Sequence, residues 1–201
     1  MTRIILVRHG ETAWNKESRL QGQTDVPLNE VGRRQADLVA QRLDAEPITA
    51  AYASDLSRAH ETAVVIAKRH QLEVIPVIGL REVSFGEWEG LSRATIREYH
   101  EVEYQRWLDN PMEVSPPGGE TFSQVQARAH AALIQIASAH PDETILIVAH
   151  GGMIKSIICK YHEGGFWDFP QGNTAVNFLE FAEGEIHFLK LNDCEHLEGM
   201  N

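Results

Sequence analysis

The chain opens with an unbroken apolar run, Ile4-Ile5-Leu6-Val7, that stops at Arg8-His9-Gly10. A second run, Thr144-Ile145-Leu146-Ile147-Val148-Ala149, stops at His150-Gly151-Gly152. Short runs without alternation read as strands buried on both faces, as in parallel sheets. Residues 50–53 form another short strand. Residues 72–78 form a further one, which Pro76 assigns to a sheet edge. Between these runs the apolar residues recur at helical spacing. Asn29 caps a helix to about residue 45, with Val31, Leu38, Val39 and Leu43 as its apolar stripe. Ser54 and Asp55 open a helix through Arg69. One helix covers about 92–108. Thr121 and Gln124 form a capping box for a helix reaching about His140. A last helix runs from about Gly152 to Tyr161. Strands 174–181 and 185–191 join at Glu183-Gly184, a hairpin signal. Residues 14–28 are polar and irregular.

Strands alternating with helices predict an α/β fold. The expected architecture is a three-layer α/β/α sandwich with a mostly parallel central sheet and one antiparallel edge strand. Right-handed crossovers point strands 3–7, 50–53 and 144–149 the same way. Residues 82–120 carry Phe85-Gly86-Glu87-Trp88-Glu89-Gly90, Trp107 and Pro116-Pro117-Gly118-Gly119. They read as a helical lid folded over one end of the sheet, within one domain spanning 1–201.

The net charge of -11 argues against a nucleic-acid partner and requires any phosphate site to be a local positive pocket. Two distant cysteines, Cys159 and Cys194, suggest a reducing compartment. No apolar run approaches membrane-spanning length, and the N-terminus lacks a signal peptide's apolar region. A cytoplasmic protein with no membrane partner is expected. Hairpin 174–191 is a candidate either to cover a sheet edge or to pair in a homodimer.

Open α/β sheets bind ligands at the C-terminal ends of their strands. There this sequence delivers Arg8 and His9, Arg58 after a short turn, and His150. A neutral imidazole is a nucleophile and a guanidinium grips phosphate. Arg8, Arg58, a protonated His150 and backbone N–H groups near Gly151 would surround a phosphoryl dianion. Arg58 lies at a helix N-terminus, where the dipole disfavours a cation, and a bound anion would offset that cost. No His pair has metal-ligand spacing. Among many carboxylates, Glu82 is placed to act as proton donor and later as base, because it follows a strand and opens the excursion. Glu87 and Glu89 are expected to face water. Trp88 and Trp107 are read as core or pocket wall, and with Val83 and Phe85 they suggest a partly apolar pocket.

These residues resemble a known family. Arg8-His9-Gly10-Glu11-Thr12 with Trp14-Asn15, Ser54-Asp55-Leu56-Ser57-Arg58-Ala59 with Glu61-Thr62-Ala63, Leu80-Arg81-Glu82 before Phe85-Gly86-Glu87-Trp88-Glu89-Gly90, and Ala149-His150-Gly151-Gly152 are similar to the four motifs of the histidine phosphatase superfamily, the phosphoglycerate mutase-like proteins. They stand in family order and cover most of the chain. The resemblance implies His9 as the phosphate-accepting nucleophile. It implies Arg8, Arg58 and His150 as ligands of the phosphoryl oxygens, Asn15 and Gln21 as pocket residues, and Glu82 as acid and base. It implies no metal and no organic cofactor. The stretch Val83-Ser84-Phe85-Gly86 and the Glu-rich, Lys-poor segment to Gly119 depart from the mutase pattern. They resemble compact bacterial broad-specificity and α-ribazole phosphatases. The expected activity is hydrolysis of a small phosphomonoester to alcohol and inorganic phosphate. A cofactor-dependent phosphoglycerate mutase and a non-catalytic phosphate-binding module are the alternatives.

Overall fold

A computed structural model describes residues 1–200. The elements in chain order are β1 (Thr2–Arg8), α1 (Ala13–Lys16), α2 (Glu30–Arg42), β2 (Ile48–Ala53), α3 (Ser57–Arg69), β3 (Val74–Pro76), α4 (Arg93–Tyr99), α5 (Glu101–Asp109), α6 (Phe122–Ser138), β4 (Thr144–Ala149), α7 (Gly151–Tyr161), β5 (Val176–Ala182) and β6 (Glu185–Asp193). They form one six-stranded sheet in the order β3-β2-β4-β1-β5-β6. The first four strands are mutually parallel, while β5 runs against β1 and β6 against β5. The antiparallel edge expected from the sequence is this hairpin.

The apolar runs have no polar face because both faces are covered. In β1, Ile4 and Leu6 join a core with α6 and α7, while Ile5 and Val7 join a second core with α2 and α3. In β4, Ile145, Ile147 and Ala149 face the first core and Leu146 and Val148 the second. Burying one such side chain stabilises the fold by about 1.5–3 kcal/mol. A one-residue slip would exchange the two layers' partners throughout.

Several elements differ from expectation for local reasons. Only three residues of the 72–78 run pair, because β3 is the edge and Pro76 cannot extend the ladder. The expected helix 92–108 is two helices broken at His100, whose φ of -137° and ψ of 38° leave the helical region. Residues 14–28 include α1, whose Thr12 and Asn15 make a reciprocal capping box. In α2 the buried stripe is Gly32, Gln35, Ala36, Val39 and Ala40, with Val31 and Leu38 only half-buried. Helix α3 begins at Ser57 rather than Ser54, and its N-cap Leu56 has no capping side chain. Asp25, from the loop before α2, takes that role by accepting from Ser57 N at 2.8 Å.

Residues 82–120 fold back onto the α6–α7 core. Trp88, Tyr104 and Trp107 are buried, with the two indole rings at 6.0 Å and near right angles. Among the described residues, no helix is long and apolar enough to cross a membrane.

Candidate active site

Strand register brings the two histidines together. Arg8 pairs with Ala149 at the C-terminal ends of β1 and β4, and His9 N donates to Ala149 O at 3.0 Å. The next residues, His9 and His150, therefore lie side by side with ring centroids 5.1 Å apart. His9 Nδ1 lies 2.7 Å from Gly10 O, an acceptor only, so the proton sits on Nδ1 and Nε2 keeps its lone pair. Burial, with the charges of Arg58 and Arg8, holds His9 well below the usual histidine value. Burial and the charges of Arg58, His9 and Arg8 do the same to His150. Both imidazoles are neutral at pH 7 in the unliganded site. Both ring nitrogens of His150 are buried without a partner.

Arg58 is completely buried. Its guanidinium donates to Gly22 O at 2.7 Å and Thr24 O at 3.0 Å, and its Nε has no partner. Burial pushes it down to about 10, so it stays charged near neutrality. The helix-start penalty anticipated for this cation is met by those two carbonyls and by Asp25 at the first turn. The loop carrying the carbonyls is anchored by Glu89. Its carboxylate accepts from Gln23 N at 3.0 Å, Thr24 N at 3.0 Å and Phe85 N at 3.1 Å. Glu89 therefore does not simply face water; it holds the loop of residues 22–24 against the excursion. Arg8 donates to Gln171 O, and its Nε is also shielded without a partner. Neither Arg8 nor Arg58 forms an ion pair among the described residues. Shielded cations without a paired anion are costly, and a bound anion removes that cost.

Glu82 sits on the N-terminus of α7. Its Oε1 accepts from Met153 N at 2.8 Å and Val83 N at 3.0 Å, and its Oε2 from Gly152 N at 2.9 Å. Of the N–H groups expected near Gly151, those of Gly152 and Met153 are thus taken by Glu82. Arg128 of α6 fixes the Glu82 backbone. It donates to Gly79 O at 3.0 Å, Arg81 O at 2.7 Å and Glu82 O at 2.8 Å, and pairs with Glu120 at 3.0 Å. Asn15 and Gln21 have their carbonyl oxygens occupied, by Thr12 N at 3.1 Å and Thr12 Oγ1 at 2.8 Å, which leaves their amide N–H groups as donors.

A cleft of about 160 Å³ opens at this rim. Arg8, His9, Asn15, Gln21, Arg58, Glu82 and Gly151 all line it, while His150, fully buried beside His9, does not. Val83 and Trp88 lie in the core instead. The aromatic wall is Phe85, Trp107, Phe122, Phe166 and Trp167, and the mouth carries Arg93 and Lys155. Sequence reasoning did not single out these two cations. Lys155 had a signal, since it lies one turn beyond Gly151 on α7. Burial, together with Arg8 and Arg93, lowers its pKa. Among the described residues, no three His, Cys, Asp or Glu side chains come together as a metal site.

Two guanidiniums without carboxylate partners beside a neutral imidazole, at the C-terminal rim of a mostly parallel sheet, define a phosphoryl-handling α/β enzyme. The sequence profile of the histidine phosphatase superfamily (branch 1) matches residues 4–194. The metal-independent phosphoserine phosphatase of Arabidopsis thaliana is 44% identical over all of this chain and 85% of its own length. Phosphoserine phosphatase 1 of Hydrogenobacter thermophilus is 33% identical over 98% of this chain and 95% of its own. The structure of Bacillus stearothermophilus YhfR superposes with a TM-score of 0.92 at 34% identity, over 98% of this chain and 100% of that one. The chain belongs to the histidine phosphatase superfamily and is a phosphatase.

Proposed function

We propose that the protein hydrolyses a small phosphorylated metabolite without a metal, through a phosphohistidine at His9. The observation that carries this reading is the His9 tautomer. Its Nδ1 proton is tied to Gly10 O, so a neutral Nε2 lone pair is available in a cleft whose cations lack counter-ions. Nε2 attacks phosphorus in line and the P–O bond to the alcohol breaks. The departing oxygen takes a proton from the Glu82 carboxyl. Glu82 Oε2 accepts a single hydrogen bond and so has room to carry that proton. In the second step Glu82 removes a proton from water, the water oxygen attacks phosphorus, and the N–P bond pair returns to Nε2. Arg8, Arg58, Asn15, Gln21 and Gly151 N–H stabilise the equatorial oxygens, and buried His150 packs against His9 beside them. The names of the two curated relatives make phosphoserine the first substrate to test, and that of the Arabidopsis thaliana relative supports metal independence. The free cysteines fit a reducing, cytoplasmic setting.

The test is turnover of p-nitrophenyl phosphate in excess chelator, followed by alkaline quench and mass analysis of the peptide containing His9. The expected result is chelator-resistant turnover with an acid-labile phosphoryl adduct on His9. Full activity in His9→Ala would remove the mechanism.

A further inference from the structure

The outer half of the cleft has chemistry that hydrolysis itself does not need. Four cations reach the cleft without an ion pair, Arg8, Arg58, Arg93 and Lys155, against the single carboxylate of Glu82. Arg19, also at the rim, is spent on Glu17 at 2.6 Å and Gly90 O at 2.8 Å. With Glu82 protonated, as the proposed first step requires, a phosphoryl dianion answers two of the four positive charges and leaves two, at the mouth. Lys155 is half-buried there with no hydrogen-bond acceptor. Its Nζ is held over the rings of Trp167, at 5.4 Å, and Phe166, at 5.7 Å. Arg93 opens α4 on the side of the excursion, and its charge acts on both Arg8 and Lys155.

We propose that Lys155 and Arg93 form a carboxylate subsite, so that the enzyme selects phosphomonoesters bearing a carboxylate a few bonds from the phosphoryl group and does not read an amine. Two observations argue that an amine goes unread. Among the described residues, the cleft has no carboxylate besides Glu82, which the proposed hydrolysis uses for proton transfer. The aromatic faces at the mouth, those of Phe166 and Trp167, already carry Lys155 and so repel a substrate ammonium there. Phosphoserine would then be accepted for its carboxylate alone.

This inference rests on the phosphatase reading above, and its test separates the two. Steady-state kcat/KM is measured for 3-phosphoglycerate, phosphoserine, phosphoethanolamine and n-propyl phosphate. The first two should exceed the last two by about tenfold to a hundredfold, the range for hydrogen bonds to a charged group. They should lie within about threefold of each other, below the tenfold that one such bond supplies. Lys155→Met should lower kcat/KM for 3-phosphoglycerate about tenfold more than for n-propyl phosphate, chiefly through KM. Arg93→Gln, at an exposed position, gives the same comparison should Lys155→Met fold poorly. Equal values for 3-phosphoglycerate and n-propyl phosphate would overturn the subsite. A tenfold advantage of phosphoserine over 3-phosphoglycerate would overturn the unread amine. Should none of the four turn over, the mechanism fails separately, and calorimetric binding of the same compounds to the wild-type protein still ranks them.

Discussion

Glu82 and Gly152 meet so closely that no side chain fits between them. Gly152 N–H donates to Glu82 Oε2 at 2.9 Å, and a Cβ at position 152 would lie 2.6 Å from Oε1 and 2.7 Å from Phe122 Cε1. Gly152→Ala should therefore displace the carboxylate rather than the helix. The expected outcome is a kcat loss of about tenfold or more and a stability cost of about 1–3 kcal/mol, as for overpacking. Activity assays beside urea melts of the same variant check both. A variant with unchanged kcat would mean that Glu82 does not act from this position.

Glu82→Gln keeps the shape of the side chain and removes the proton relay. Its rate loss, about a hundredfold to ten-thousandfold for general acid–base catalysis, should be largest for alkyl phosphates, whose leaving oxygen needs a proton. Nitrophenyl phosphate should suffer less in the first step. Equal losses on both ester types would point to another acid.

Arg128 bears on the same proton transfer from a distance. Its fork spans three carbonyls and Glu120, a geometry that lysine cannot reproduce. Arg128→Lys should lower kcat for alkyl phosphates more than for nitrophenyl phosphate, leave KM near its wild-type value, and cost about 2–3 kcal/mol in stability. A purely structural role would lower stability without the leaving-group dependence.

Arg58→Ala should weaken competitive inhibition by inorganic phosphate about tenfold to a hundredfold, the worth of a charge-assisted hydrogen bond. The rise in melting temperature that phosphate gives the wild type should shrink in parallel. Unchanged inhibition would place Arg58 outside the phosphate pocket.

His9 and His150 also predict how stability depends on pH. Both are held well below the ordinary histidine value in the folded protein, chiefly by burial. In the unfolded chain each takes a proton as pH falls past about 6.5. The unfolded state then binds more protons, so stability is full above that pH and declines below it, until the folded histidines also titrate. The slope approaches about 1.4 kcal/mol per pH unit for each histidine. A bound phosphate dianion offsets the guanidinium charges and should flatten the decline. Urea midpoints between neutral and mildly acid pH, with and without phosphate, measure this. A midpoint unaffected by pH in the absence of phosphate would contradict the buried neutral pair.

The parts of the site that chain chemistry made legible are those at strand ends. Two apolar runs ending in histidine could be read because parallel strands bury both faces, and neighbouring strand ends then share one rim. Pro76 marked its strand as an edge for the same kind of local reason. The residues that support the site left no such trace. Asp25 caps α3 from a loop about thirty positions earlier, and Glu89 holds residues 23 and 24 from across the cleft. Arg128 touches the Glu82 segment only because α6 packs beneath it. Each is a polar residue whose partner is distant in sequence, and pattern and capping rules carry no information about such pairs. The break at His100 was hidden as well, since the residues around it keep helical periodicity.

The nucleophile and part of the surface that meets the substrate are built on different parts of this molecule. The histidines are set by the ladder between β1 and β4, which is packed on both sides and unable to shift without exchanging its layers. Arg93 and Trp107 hang from the excursion, whose helices can be altered while that ladder stays as it is. Grafting another enzyme's 91–119 segment, which leaves Glu82, Glu89 and Glu120 in place, is therefore a route to retargeting hydrolysis with the nucleophile undisturbed.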